Sequence, residues 1–262
     1  MYNEIMESKY SKELKVSQDI ARKAGVIMKK YFFAQDQDIQ IKDDGSPVTI
    51  ADTTINSMVI EELQKNFEDG IIGEEESTAE YGSGRRWFCD PIDGTKAFVW
   101  GIPTSMFSLG LVIDGVPQFG VIYDPYLDLF YLGAKGEGGY CNDQKLEVKK
   151  ATLSGERVAI TSTAHRIIDK PEFAKKLLAE NVDIVLCSGA VFKSSLVAKG
   201  KLVAYIEAGV GAHDMAAVQV IIEEAGGKVT GYDGKALDYT KPFNGAVVSN
   251  GIVHDQLIEM LK

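Results

Sequence analysis

The chain has 262 residues, 45% hydrophobic and 25% charged, with a formal net charge of −10 at pH 7. That length suits one sizeable core or two modest domains packed together, and the acidic balance argues against a nucleic-acid partner, whose phosphates it would repel. No apolar run approaches a membrane span and no basic region leads into an apolar stretch at the N-terminus, so a soluble, cytoplasmic chain without membrane association is expected.

Residues 10–33 place Leu14, Ile20, Ala24, Ile27, Met28 and Tyr31 at roughly helical period and predict an amphipathic helix. A polar stretch over 35–44 ends in Gly45-Ser46-Pro47, and a second helix is expected over 51–67 through Ile55, Val59, Ile60 and Leu63. Ile71-Ile72-Gly73 reads as a short strand running into Glu74-Glu75-Glu76. A strand over 87–90 follows, and Pro91 should end it, because proline removes a ladder donor and fixes φ. Residues 106–135 are β-rich: strands over 106–113 and 118–123 are joined by the hairpin signal Asp114-Gly115-Val116-Pro117, and a third covers 129–132. The glycine-rich segment 133–139 reads as a strand-connecting turn, since no helix pattern and no Lys-Ser/Thr pair follow it.

The second half alternates strand and helix. Strands are expected at 157–160, 183–187, 202–206 and 246–249, with helices at 171–180, 190–199 (stopped by Gly200), 213–225 and 252–261. This alternation implies a layered α/β half with crossover helices. A seam near Lys150-Ala151 would divide an N-terminal α+β half, residues 1–150, from a C-terminal α/β half, residues 151–262.

Chemistry concentrates in Trp87-Phe-Cys-Asp90-Pro-Ile-Asp93-Gly-Thr95-Lys96. A turn at Pro91 aims Asp90 and Asp93 at one spot at a strand's carboxyl end, where open α/β sheets place ligands. Two hard anionic oxygens beside backbone N–H groups suit Mg²⁺ and a phosphate. Four further acids accompany them: Glu74 at another strand end, Asp52 and Asp214 at helix starts, where the dipole favours an anion, and Glu207 ending strand 202–206. Taken singly, each has an ordinary reading as a helix-start acid, a solvated run or a strand-end charge. Gathered together, such carboxylates repel one another unless cations hold them. The cysteines (Cys89, Cys141, Cys187) are too far apart for a disulfide framework or zinc ribbon, and the three histidines are too scattered for an H-E-x-x-H site.

These residues resemble the inositol monophosphatase family, within the Mg²⁺-dependent, lithium-inhibited phosphatases that include fructose-1,6-bisphosphatases. Gly73-Glu74-Glu75 is similar to its G-E-E segment, and Asp90-Pro91-Ile92-Asp93-Gly94-Thr95 to its D-P-I-D-G-T signature. His213-Asp214-Met215-Ala216-Ala217, followed by Glu223-Glu224-Ala225-Gly226-Gly227, is similar to its W-D-x-A-A…E-A-G-G segment. The resemblance, spanning about Gln18 to Asn250, implies a layered αβαβα fold, a homodimer and two or three Mg²⁺ ions. One ion would be held by Glu74, Asp90 and the carbonyl of Ile92, a second by Asp90, Asp93 and Asp214, and a third, weaker one near Glu74. Asp52 and Thr95 would orient and deprotonate the attacking water. The N–H groups of Gly94 and Thr95 would cradle the phosphate, and Lys42 resembles a mobile-loop lysine that approaches the metals.

Departures from the pattern bear on the substrate. Lys96 resembles the histidinol-phosphate and 3′-phosphoadenosine-phosphate branches, whereas Trp100 replaces a basic residue of the histidinol branch. Glu207 matches an acid that binds a substrate hydroxyl or amine, and it should repel a second phosphate. His213 stands where tryptophan is usual and reads as a packing substitution. The sequence reading is a Mg²⁺-dependent phosphomonoesterase for a small polyol or amino-alcohol phosphate, inositol 1-phosphate first and histidinol phosphate next, then 3′-phosphoadenosine-phosphate or fructose 1,6-bisphosphate. A non-catalytic phosphosugar-binding regulator is the alternative from another class.

Overall fold

In a computed structural model describing residues 9–34, 37–43, 45–161 and 171–262, two sheets alternate with three layers of helix. Helix α1 (Ser11–Phe32) is followed by a small hairpin of β1 (Gln40–Ile41) and β2 (Pro47–Val48), then by α2 (Ile50–Asn66). The first large sheet takes its strands in chain order: β3 (Gly70–Gly73), β4 (Arg85–Asp93), β5 (Met106–Ile113), β6 (Val116–Asp124), β7 (Leu129–Ala134), β8 (Gly138–Cys141) and β9 (Gln144–Lys145). A short helix, α3 (Thr95–Val99), lies between β4 and β5. The β5–β6 hairpin turns on Asp114-Gly115 alone, both at positive φ (49° and 77°), the two-residue geometry that matches strand twist.

The C-terminal half continues with β10 (Arg157–Ile160), α4 (Pro171–Ala179), β11 (Asp183–Val185), α5 (Ala190–Ala198), β12 (Ala204–Glu207), α6 (Ala212–Glu224), β13 (Lys228–Thr230), β14 (Ala246–Ser249) and α7 (His254–Leu261). Its five strands run β11-β10-β12-β14-β13, with β10, β11 and β12 mutually parallel and β14 antiparallel to both its neighbours. Among the described residues no helix is long and apolar enough to cross a membrane.

Period-2 alternation builds three cores. Trp87 and Cys89 of β4, with Phe107, Leu109 and Leu111 of β5, face α1 and α2 through Leu14, Ile20, Ile55 and Val59. Phe88, Met106 and Val112 face the opposite way, into a second cluster shared with α5, α6 and Tyr205 of the other sheet. Val158, Val203 and Val247 join Phe173, Leu177 and Leu257 in the outermost cluster. The order is therefore helix, sheet, helix, sheet, helix, the expected αβαβα sandwich, with α6 of the C-terminal half packed on the N-terminal sheet.

A row of glycines sets how closely α6 lies. Gly110, Gly120, Gly133 and Gly139 are cross-strand partners on β5, β6, β7 and β8. A Cβ at Gly120 would stand 2.6 Å from Ala217 Cα, and one at Gly133 2.8 Å from Ile221 Cα. With Ala216 and Ala217 on the helix side, backbone meets backbone, which fixes α6 directly against the face of the sheet.

One expectation is corrected. Strand β4 does not stop at Pro91 but runs to Asp93. Asp90 pairs with Ser108 and Asp93 with Met106, so the span from Asp90 to Asp93 has one residue more than the span opposite it, and Pro91 sits in that irregularity, where the missing N–H breaks no ladder bond. Likewise β12 includes Glu207, and the two- to four-residue strands β8, β9 and β13 had no counterpart in the sequence reading.

Candidate active site

The bulge at Pro91 has a direct consequence: it brings Asp90 and Asp93 to one side of the strand end. Asp90 Oδ1 accepts the N–H of Ile92 at 3.1 Å, closing a local turn. Asp93 is held differently. Its two oxygens accept the N–H groups of Ala190 and Val191, each at 2.9 Å, so it caps the N-terminus of α5 across the fold. Asp214, third residue of α6, accepts from Gly211 N–H at 2.6 Å in its own helix cap. One carboxylate oxygen each from Asp90, Asp93 and Asp214 lies within 4.8 Å of the others, and all three residues are buried.

A second group joins the same Asp90 to Glu74 and His213. Glu74 follows β3, its N–H bonded to Cys89 O. The His213 ring lies 3.4 Å from Asp214 and adds a nitrogen to the cluster, which a purely packing role for His213 does not anticipate. Lys42, between β1 and β2, ion-pairs with Glu74 at 2.9 Å and Glu75 at 2.6 Å. Burial would lower the Lys42 pKa, but those two carboxylates outweigh it and raise it.

Asp52 is the N3 residue of α2 in a capping box with Thr49, accepting Thr49 N–H at 2.8 Å and its hydroxyl at 2.6 Å. Its other oxygen lies 3.4 Å from Thr95 Oγ1, which donates to Ile92 O at 3.1 Å. Gly94, at φ 82°, turns β4 into α3 while lying against Gly189; a Cβ there would meet Gly189 Cα at 3.1 Å.

Burial and crowding of like charge lift these carboxyls above their ordinary range. Burial is the largest cause for Asp52, whose pKa is raised to about 7; the Thr49 hydrogen bonds oppose it and the charges of Glu74 and Glu75 add to it. Burial and then Asp214 push Asp93 to about 8, against the N–H bonds from α5 and the Lys193 charge. Asp90 is raised by burial and by Glu74, Asp93, Asp214 and Asp52, and Asp214 is raised chiefly by burial. Buried carboxylates this close, with hard oxygen donors at strand and helix ends, fit divalent cations such as Mg²⁺.

Asp93, Thr95, Glu74 and Asp214 line one cleft with Glu207 and Lys193. The sequence candidates thus converge, with Asp90 and Asp52 directly behind the lining and Lys42 reaching in through Glu74. Lys193 was not anticipated: an isolated lysine in an apolar helix reads as a surface residue, and its partner lies on another element.

The fold is a layered α+β sandwich that gathers acids from two sheets and two helix starts around a cleft, a cluster able to hold metal ions. A model of the inositol monophosphatase family matches residues 9–262, and the chain belongs to that family. It is 32% identical to a histidinol-phosphatase of Mycobacterium tuberculosis over 95% of this chain and 97% of that one. It is 34% identical to inositol monophosphatase 1 of Xenopus laevis over 84% and 82%. An inositol monophosphatase structure from Anabaena superposes with a TM-score of 0.82 at 28% identity, covering 97% and 96% of the two chains. The chain is a phosphoric monoester hydrolase.

Proposed function

We propose that the protein is a Mg²⁺-dependent phosphomonoesterase for a small polyol phosphate, with inositol 1-phosphate as lead substrate, in which water rather than a side chain attacks phosphorus. The observation that carries this reading is the contact between Thr95 Oγ1 and Asp52 Oδ1 beside the acid cluster. Glu74, Asp90 and Ile92 O would hold one ion, Asp90, Asp93 and Asp214 a second, and the vicinity of Glu74, where Lys42 now pairs, a third. Bound there, the ions would polarise the phosphoryl oxygens and acidify a water. Thr95 Oγ1 would accept a proton from that water as its own hydroxyl proton, turned from Ile92 O to Asp52 Oδ1, passes to the carboxylate. Buried beside that hydroxyl, the Asp52 carboxylate is placed to receive the proton. The N–H groups of Gly94 and Thr95 orient the phosphate.

Histidinol phosphate is the second reading, favoured by the similarity to the mycobacterial histidinol-phosphatase. Lithium inhibition and a cytoplasmic location belong to the same proposal. So does a homodimer, for which the exposed side chains of Phe33, Trp100 and Leu127 offer apolar surface. The test is phosphate release with Mg²⁺ from inositol 1-phosphate, histidinol phosphate, 3′-phosphoadenosine-phosphate and fructose 1,6-bisphosphate. The reading expects the highest kcat/KM for inositol 1-phosphate, and a bisphosphate at the top of the series would refute it.

A further inference from the structure

Lys193 is only 1% exposed, among the largest fully buried side chains of the protein. Its Nζ lies 2.7 Å from Glu207 Oε2 and 4.6 Å from the centroid of the Tyr205 ring. Tyr205 donates its hydroxyl to the same carboxylate oxygen at 2.7 Å, and Thr161 donates to Oε1 at 2.8 Å. Burial alone would raise the Glu207 pKa; the Lys193 charge and these hydrogen bonds hold it below its ordinary range. Glu207 is therefore a carboxylate whose charge is already matched, by a cation lining the same cleft as Asp93, Thr95 and Asp214.

The arrangement alters what Glu207 can select. Facing an unpaired acid, an ammonium on the leaving group would gain a strong charge-assisted contact. Here it would have to approach the Lys193 ammonium as well, and like charges in a half-buried cleft repel strongly. A hydroxyl meets no such conflict, since it can donate to a Glu207 oxygen and accept from Lys193 Nζ. Lys96, on the lining of the same cleft, adds a second positive charge, which opposes an ammonium and leaves a hydroxyl unopposed. The pair also offsets the repulsion that Glu207 alone would exert on a second phosphate.

We propose that Lys193 is a specificity-determining residue of the leaving-group end. By matching the charge of Glu207 it selects phosphate esters of uncharged, hydroxyl-bearing alcohols and discriminates against amino-alcohol phosphates. The proposal rests on the phosphomonoesterase reading and deepens it, because specificity is set as much by what a site repels as by what it attracts.

The test is the ratio of kcat/KM for inositol 1-phosphate to that for histidinol phosphate, measured with Mg²⁺ on the parent, K193M, E207Q and K193M/E207Q. A ratio cancels a general loss of active enzyme. The parent should favour the polyol ester by about tenfold or more. K193M, which leaves Glu207 unmatched, should lower the ratio on the order of tenfold, and E207Q, which leaves Lys193 unmatched, should raise it. The double variant should fall between the two. If K193M does not fold, a ratio for E207Q above the parent's and a ratio for the double variant below that of E207Q carry the test. A parent that prefers histidinol phosphate, or single variants that leave the ratio unchanged or move it the same way, would overturn the role of Lys193 while leaving the phosphatase reading intact. Inertness of the parent toward every phosphomonoester would overturn both.

Discussion

Asp90 belongs to both acid groups, so its neutralisation should have opposite effects on stability and on activity. Asp90→Asn keeps the size of the side chain and the oxygen that accepts Ile92 N–H, and it removes one charge from the crowd. The lift of Asp93 from 3.8 to about 8 is about four pH units, which at 1.36 kcal/mol per unit sets a ceiling of about 6 kcal/mol on what ionising one such group costs the metal-free fold. The acids share one repulsion and their costs do not add, so relief by a single substitution should be on the order of 1–3 kcal/mol. Because the folded-state pKa values are raised, the favourable contribution is fully present below pH 4 and is lost as pH climbs through about 7 and 8. In chelator at pH 8.5, therefore, Asp90→Asn should melt several degrees above the parent, at roughly 2–4 °C per kcal/mol for a chain of this size. The gap should narrow at pH 6. Mg²⁺ should raise the parent's Tm at pH 8.5 more than the variant's, and the variant should be inactive. Thermal unfolding by circular dichroism at the two pH values decides it. A variant that melts below the parent in chelator at pH 8.5 would refute the repulsion argument.

Three further outcomes follow from other parts of the molecule. Thr95→Ala should cut kcat on the order of 10² while leaving Mg²⁺ affinity by calorimetry nearly intact, and near-normal kcat would remove Thr95 from water activation. Gly120→Ala should destabilise by about 1–3 kcal/mol in urea titrations and weaken Mg²⁺ binding, because a methyl 2.6 Å from Ala217 Cα pushes on the helix that carries Asp214; unchanged affinity would separate helix placement from the metal site. His254 is fully buried between Thr230 and Ser249, with burial lowering its pKa from 6.5 to about 4. Its contribution is complete above pH 6.5 and lost as pH falls toward 4, about 3 kcal/mol in all, so the stability advantage over His254→Gln should shrink by up to that amount across this window.

Much of the site could be read in the sequence because its geometry is local. Asp90, Asp93, Gly94 and Thr95 lie within six residues, and a proline and a glycine with one backbone solution each fix their relation. Asp52 and Asp214 also announced themselves through helix starts. What escaped was set by register and by distant pairing. The glycines at 110, 120, 133 and 139 form a row only once four strands are aligned, so the approach of α6 could not be foreseen. Lys193 acquires its role only because α5 packs beside β12, and the hold of α5 on Asp93 joins residues 97 and 98 positions apart in the chain. Pro91 misled for a physical reason as well: its missing N–H ends a regular ladder, but a bulge tolerates it and the strand continues.

The central claim is that phosphate release depends on divalent cations held by Glu74, Asp90, Asp93 and Asp214 and uses no side-chain nucleophile. Its most direct test is the rate of phosphate release from inositol 1-phosphate by protein stripped of divalent ions, then titrated with Mg²⁺. The account predicts no turnover in chelator and full recovery on adding Mg²⁺, whereas undiminished turnover in excess chelator would contradict it.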